Sequence, residues 1–264
     1  MQQFLRAAMV VIGVLFAILA VGLMARAPWA TRVWPFALLE TRLGCIFLGS
    51  IAAAIAASIL WIALVEQDLR VAEAGALNLT VAFGGMTVFF AFLVSGGSPE
   101  LLPSTLAVGL MAASSALIYL SARRQPWPDA VPTPAFLRYS FAAFAVVLTI
   151  VGFALVARAP RIFPWPLAPQ SSVAYGFIFL GAATAFGHAF LKPRWSNAAP
   201  HLAGFLAYDL VLVVPFLQHF DTVRAPHRTS LTIYVIVIVY SGLLAVYYLG
   251  LQRAAATSGA LRGG

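Results

Sequence analysis

The sequence predicts an all-α integral membrane protein of about eight transmembrane helices, built as two tandem parallel four-helix repeats. Three observations carry that prediction. The 264 residues are 62% hydrophobic and only 9% charged, with a mean hydropathy of +0.95, whereas soluble domains carry about 25% charged residues. The apolar runs are about 18–24 residues long, the length a helix needs to cross roughly 30 Å of hydrocarbon. Short motifs recur along the chain at one fixed separation. Lipid demands that backbone N–H and C=O groups pair within the segment, and the runs lack the ten-residue alternation of an outer-membrane barrel.

Taken in order, the spans fall at 5–25, 43–65, 74–95, 104–122, 136–157, 173–191, 201–220 and 229–251. The connections are mostly short and carry Pro, Gly and charge, which disfavour continuation of an apolar helix. Gly96-Gly97-Ser98-Pro99-Glu100 separates the third from the fourth, and Arg124-Gln125-Pro126-Trp127-Pro128-Asp129 the fourth from the fifth. The first span has features of a secretory signal, with Arg6 at its start and Ala25-x-Ala27 at its end. The same segment recurs in mid-chain, so it is read as a helix.

Phe4-Leu5-Arg6 recurs as Phe136-Leu137-Arg138, and Ala25-Arg26-Ala27-Pro28 as Ala157-Arg158-Ala159-Pro160. Gly44-x-Ile46-Phe47-Leu48-Gly49 recurs as Gly176-x-Ile178-Phe179-Leu180-Gly181. All three share an ungapped offset of 132. Phe92-Leu93 and Phe216-Leu217 differ by 124, which places a deletion between the second and third helices of the second copy. The division is 1–127 and 128–253 for the two repeats, with 254–264 as a flexible tail. An even number of spans per copy gives both copies one orientation.

The net charge of +8 comes from sixteen basic residues, fifteen of them Arg, set singly at the ends of apolar runs. That pattern suits phosphate headgroups and topology rather than nucleic acid. Counting the N-terminal side as side A, nine basic residues fall on side A and seven on side B. The bias favours cytoplasmic termini in a bacterial inner membrane. Trp61, Trp127 and Trp195 mark side A, and Trp29, Trp34 and Trp165 side B, as two interfacial belts. The single cysteine, Cys45, excludes an intrachain disulfide and a cysteine-based metal cluster.

Among the polar residues Asp209 stands out, about nine residues into the seventh span and near mid-membrane. A carboxyl there is costly unless paired, protonated or hydrated, so it reads as functional. It aligns with Gly85 in the first copy, and the nearby Pro215 with Ala91. Tyr240 and Ser241 reach the same depth on the eighth span, and a Tyr240–Asp209 hydrogen bond is expected. Tyr208 and His188 complete the candidate intramembrane site. Arg26, Arg32, Arg158 and Arg161 form a possible ring on side B for an anion or lipid headgroups.

No phosphate-cradling loop, zinc motif or nucleophile–base pair is present, so no catalytic residue and no metal ligand is assigned. Neither is a cofactor. A transmembrane haem needs two histidines at one depth; only His188 and His201 approach that, and His201 is expected at the headgroups. A retinal Schiff base does not fit, because the only lysine, Lys192, lies at a span end.

Three readings remain. One is a small-molecule or ion transporter, or permease-like binder, with an intramembrane acid. The second is a non-catalytic scaffold subunit that meets other membrane proteins as well as lipid. The third is a quinone- or haem-associated anchor: the four-plus-four plan is similar to that of haem A synthases and quinone-reactive anchors, without the repeated histidine pairs of the former.

Overall fold

The computed structural model describes residues 3–36 and 41–262, with side chains through residue 250. Among the described residues, eight helices are long and apolar enough to cross a membrane, and none of these residues forms a strand. The chain is an all-α polytopic membrane protein.

The spanning helices are α1 (Gln3–Met24), α2 (Arg42–Trp61), α3 (Glu73–Ser95), α4 (Leu102–Ala122), α5 (Ala135–Val156), α6 (Pro169–Leu191), α7 (Trp195–His219) and α8 (Arg228–Arg262). They pack as hairpins, α1 along α2, α3 along α4, α5 along α6 and α7 along α8. Two crossings tie the hairpins together, α2 on α7 and α3 on α6. These four helices are therefore central. In a bilayer no hydrophobic force pulls helices together, so close approach rests on small residues. The crossings show this. An added methyl on Gly181 of α6 would lie 2.5 Å from the Asn78 carbonyl of α3, and one on Gly204 of α7 would lie 2.7 Å from Ser58 Oγ of α2.

Among the helix boundaries that differ from the sequence reading, three stand out. Before α3 the 3-10 turn Leu69–Ala72 carries the helical path back to residue 69, so Arg70 and Glu73 lie inside the span. α7 begins at Trp195, six residues early, and runs through Pro200 and Pro215 without a break. α8 continues to Arg262, through most of the segment expected to be a flexible tail; Gly263 and Gly264 lie outside the described residues. Ala254-Ala255-Ala256 are strong helix formers, which explains the extension.

The turns after α1 and α5 are the same structure. Arg26 N–H bonds the Leu23 carbonyl and Ala27 N–H bonds that of Gly22; Arg158 pairs with Leu155 and Ala159 with Ala154 in the same way. Both arginines are left-handed, with φ +55° and +58°. This is the Schellman cap, which satisfies the last helical carbonyls and needs one αL residue.

The core on side B is aromatic. The ring of Phe47 is surrounded by Phe163, Trp165, Tyr175, Phe179, Tyr208, Phe216 and Tyr234, with centroids 5.0–6.4 Å away. The expected tryptophan belts are only partly formed. Trp165 is buried in this core and Trp34 stacks on Tyr175 at 5.3 Å, while Trp29 is exposed. The direction in which each indole points is set by neighbouring helices.

Candidate functional site

Two polar centres lie along α7, one at mid-span and one near side A. α7 has 25 residues, about 37 Å at 1.5 Å per residue, and Asp209 is its fifteenth. Asp209 is 5% exposed. Neither carboxyl oxygen has a hydrogen-bond partner. Across from it on α8, an added methyl on Gly242 would sit 3.4 Å from Oδ2 and 3.5 Å from Cβ, so the two helices meet here at ordinary contact distance.

Tyr240 and Tyr208 do not bond it. The Tyr240 hydroxyl pairs with Ser140 Oγ of α5 at 2.6 Å, and Tyr240 is 40% exposed. Tyr240 shares the depth of Asp209 but lies on another face of α8. Ser241 does lie beside Asp209. Its hydroxyl, however, donates to the Val237 carbonyl at 2.8 Å, the back-bonding that serine commonly makes in helices. Tyr208 turns towards the Phe47 core.

His188 does not join Asp209 either. It belongs to the second centre, where its Nε2 lies 3.0 Å from Glu73 Oε2 and its Nδ1 lies 3.2 Å from Asn197 Nδ2. The amide nitrogen can only donate, and it also donates to the Lys192 carbonyl at 2.9 Å. Nδ1 is therefore the acceptor, and Nε2–H donates to Glu73. Glu73 Oε2 also meets Arg70 Nη2 at 3.1 Å. Arg70 Nη1 donates to the Ala122 carbonyl at 3.2 Å, and Trp127 covers the guanidinium at 4.5 Å. Arg70 and Glu73 are 8% and 6% exposed.

The sequence reading placed Arg70 among headgroup charges and assigned Glu73 no role. Their signals were an Arg–Glu pair at i,i+3, the spacing that brings side chains onto one helix face, and their alignment. At the offset of 124, Arg70 matches Arg194 and Glu73 matches Asn197. The single imidazole of His188 thus bridges the heads of α3 and α7.

His201, expected at the headgroups, is inside α7. Its ring packs on Phe186 at 5.4 Å and Phe141 at 5.9 Å, and its Nε2 is buried without a hydrogen-bond partner. The side-B histidines clamp a loop. His219 Nε2 bonds the Pro164 carbonyl at 3.2 Å and His227 Nδ1 bonds that of Phe163 at 2.9 Å; both nitrogens must carry the proton, because a carbonyl only accepts. Among the described residues no group of three or more His, Cys, Asp or Glu is arranged to hold a metal ion.

The candidate arginines have structural work. Arg26 and Arg158 are the αL caps, and the Arg26 guanidinium lies beside the Cys45 thiol. Arg161 is also left-handed, at φ +63°, and its carbonyl accepts from Ser230 Oγ. Arg32 follows the short helix Pro28–Thr31 and is exposed.

No family model matches the chain, and neither a curated protein nor a solved structure matches it.

Proposed function

We propose that this protein is a small-molecule or ion transporter, or permease-like binder, in which Asp209 takes up and releases a proton or cation. One observation carries the reading: a mid-span carboxyl, 5% exposed, with neither oxygen hydrogen-bonded. An unpartnered buried polar group costs about 1–3 kcal/mol, so a residue kept there for stability would have a partner. Intramembrane acids otherwise mark ion and proton pathways.

The asymmetry of the two halves supports the same reading. At the position aligned with Asp209, Gly85 receives the Phe177 ring of α6, which leaves no room for a side chain. A duplicated scaffold with one half sealed and the other carrying an acid fits a specialised site. The matching caps at Arg26 and Arg158, and the paired crossings α2–α7 and α3–α6, support descent by duplication. We place the protein in a bacterial inner membrane with both termini cytoplasmic, on the basic excess at side A.

The scaffold reading keeps one observation in its favour. The aromatic core around Phe47 joins α2 to α6, α7 and α8 in one dense unit, as a rigid subunit of a larger assembly would require. Titration of the Asp209 carboxyl band by infrared difference spectroscopy in lipid, with Asp209→Asn as control, separates the two. A carboxyl that exchanges its proton with the medium supports transport. One that stays in a single state across the folded range leaves the scaffold.

A further inference from the structure

α7 carries Asn197, His201, Phe205 and Asp209 at steps of four residues. Each step rises about 6 Å and turns about 40°, so the four make one slowly winding stripe about 18 Å long. Its side-A end is polar, since Asn197 is joined through His188 to Glu73 and Arg70. His201 comes next, with an unpartnered buried Nε2, and Asp209 ends the stripe with two unpartnered oxygens. Phe205 is the one residue of the stripe between His201 and Asp209. Its ring stacks on Phe186 of α6 at 5.0 Å and 17°, and tilts against Phe144 of α5 at 4.8 Å.

We propose that this stripe is the route by which protons reach Asp209 from side A, and that the Phe205–Phe186–Phe144 stack is its closed gate. The proposal rests on the reading of Asp209 as a proton-handling group. A hydronium ion admitted from side A gives its proton to His201 at Nε2 and leaves as water. When the stack parts, the imidazolium gives that proton to the Asp209 carboxylate and returns to neutral imidazole. The net change is one proton moved from side-A water to Asp209.

The groups facing His201 are Phe141 of α5 with Phe186 and His188 of α6; Glu73 and Arg70 of α3 stand behind His188. Those beside Asp209 are Ser241 and Gly242 of α8 and Tyr208 of its own helix. A side-B route is less open. It passes the whole aromatic core around Phe47 rather than a single layer, although the hydroxyls of Tyr175 and Tyr234 are also unpartnered there.

The test is the rate at which the Asp209 carboxyl band follows a pH jump, with purified full-length protein in lipid nanodiscs. His201→Leu should slow the response about tenfold or more, and Phe205→Ala should speed it by a similar factor. Phe205→Leu, which keeps most of the packing, should fall between Phe205→Ala and the native protein. Tyr234→Phe on side B should leave the rate unchanged. If the native band follows pH but His201→Leu and both Phe205 variants keep the native rate, or Tyr234→Phe alone slows it, the side-A route is overturned while the role of Asp209 stands. If the native band never follows pH, the role of Asp209 falls and the route with it.

Discussion

Replacing Asp209 by leucine should make the protein more stable while abolishing the proposed transport. Leucine branches at Cγ as aspartate does, so its two methyls take the places of Oδ1 and Oδ2. Neither oxygen makes a hydrogen bond of ordinary geometry, although the Ser241 hydroxyl stands nearby, and the residue is 5% exposed. The substitution therefore removes one buried unsatisfied group, worth about 1–3 kcal/mol. Steric cost is small at this site, because Gly242 faces it and an added methyl there would still stand 3.4 Å from Oδ2. The expected net gain is about 1–2 kcal/mol. Equilibrium unfolding in mixed micelles measures it, with proteoliposome flux measured on the same preparation. A loss of more than about 1 kcal/mol would refute the reasoning. It would mean that Asp209 holds α7 to α8 through a bond, and the scaffold reading would then gain. Stability gained together with function lost is the pattern expected of a residue kept for its chemistry.

Glu73→Gln should cost about 3–5 kcal/mol, because it strands the buried Arg70 without its counter-charge. Adding Arg70→Met should recover part of that loss, as a double-mutant unfolding cycle would show. Gly176→Ala should destabilise by about 1–3 kcal/mol, since the new methyl would meet the Gly152 carbonyl and the Val156 nitrogen at 2.8 Å. Gly84→Ala, with nothing within 4 Å, should be neutral or gain up to about 1 kcal/mol in the same assay. Arg158→Gly should stabilise by about 1 kcal/mol, because φ is +58° there and glycine carries no Cβ penalty in αL; thermal unfolding reads it directly. Tyr240→Phe should lose about 1 kcal/mol through the Ser140 bond and leave the Asp209 infrared band in place.

The properties that could be read from the sequence are those fixed by position along one helix. Span number and the depth of Asp209 follow from counting residues at a known rise, and no other helix enters the count. Facing is different. Tyr240 sits at the depth of Asp209 but turns to Ser140, because the roll of α8 is set by its contacts with α5 and α7 together. Arg70 and Glu73 looked like interfacial charges because a charge near a span end is usually solvated. They are buried only because α4, α6 and the loop holding Trp127 close over them. The same limit applies to Trp165, expected in an interfacial belt but turned into the core.

This division between depth and facing bears on function. The stripe Asn197–His201–Phe205–Asp209 was present in the sequence at regular spacing, yet it had no meaning while His201 was assigned to the headgroups. Once α7 begins at Trp195, His201 lies about 9 Å inside the span and Phe205 becomes the only member of the stripe between two unpartnered polar groups. Burying the unpaired Asp209 carboxyl and the unpaired His201 nitrogen on one helix costs stability twice. A purely structural helix has no reason to bear that cost at two places one aromatic layer apart. An ion path has one, because an unsatisfied donor or acceptor is where an arriving proton is bound.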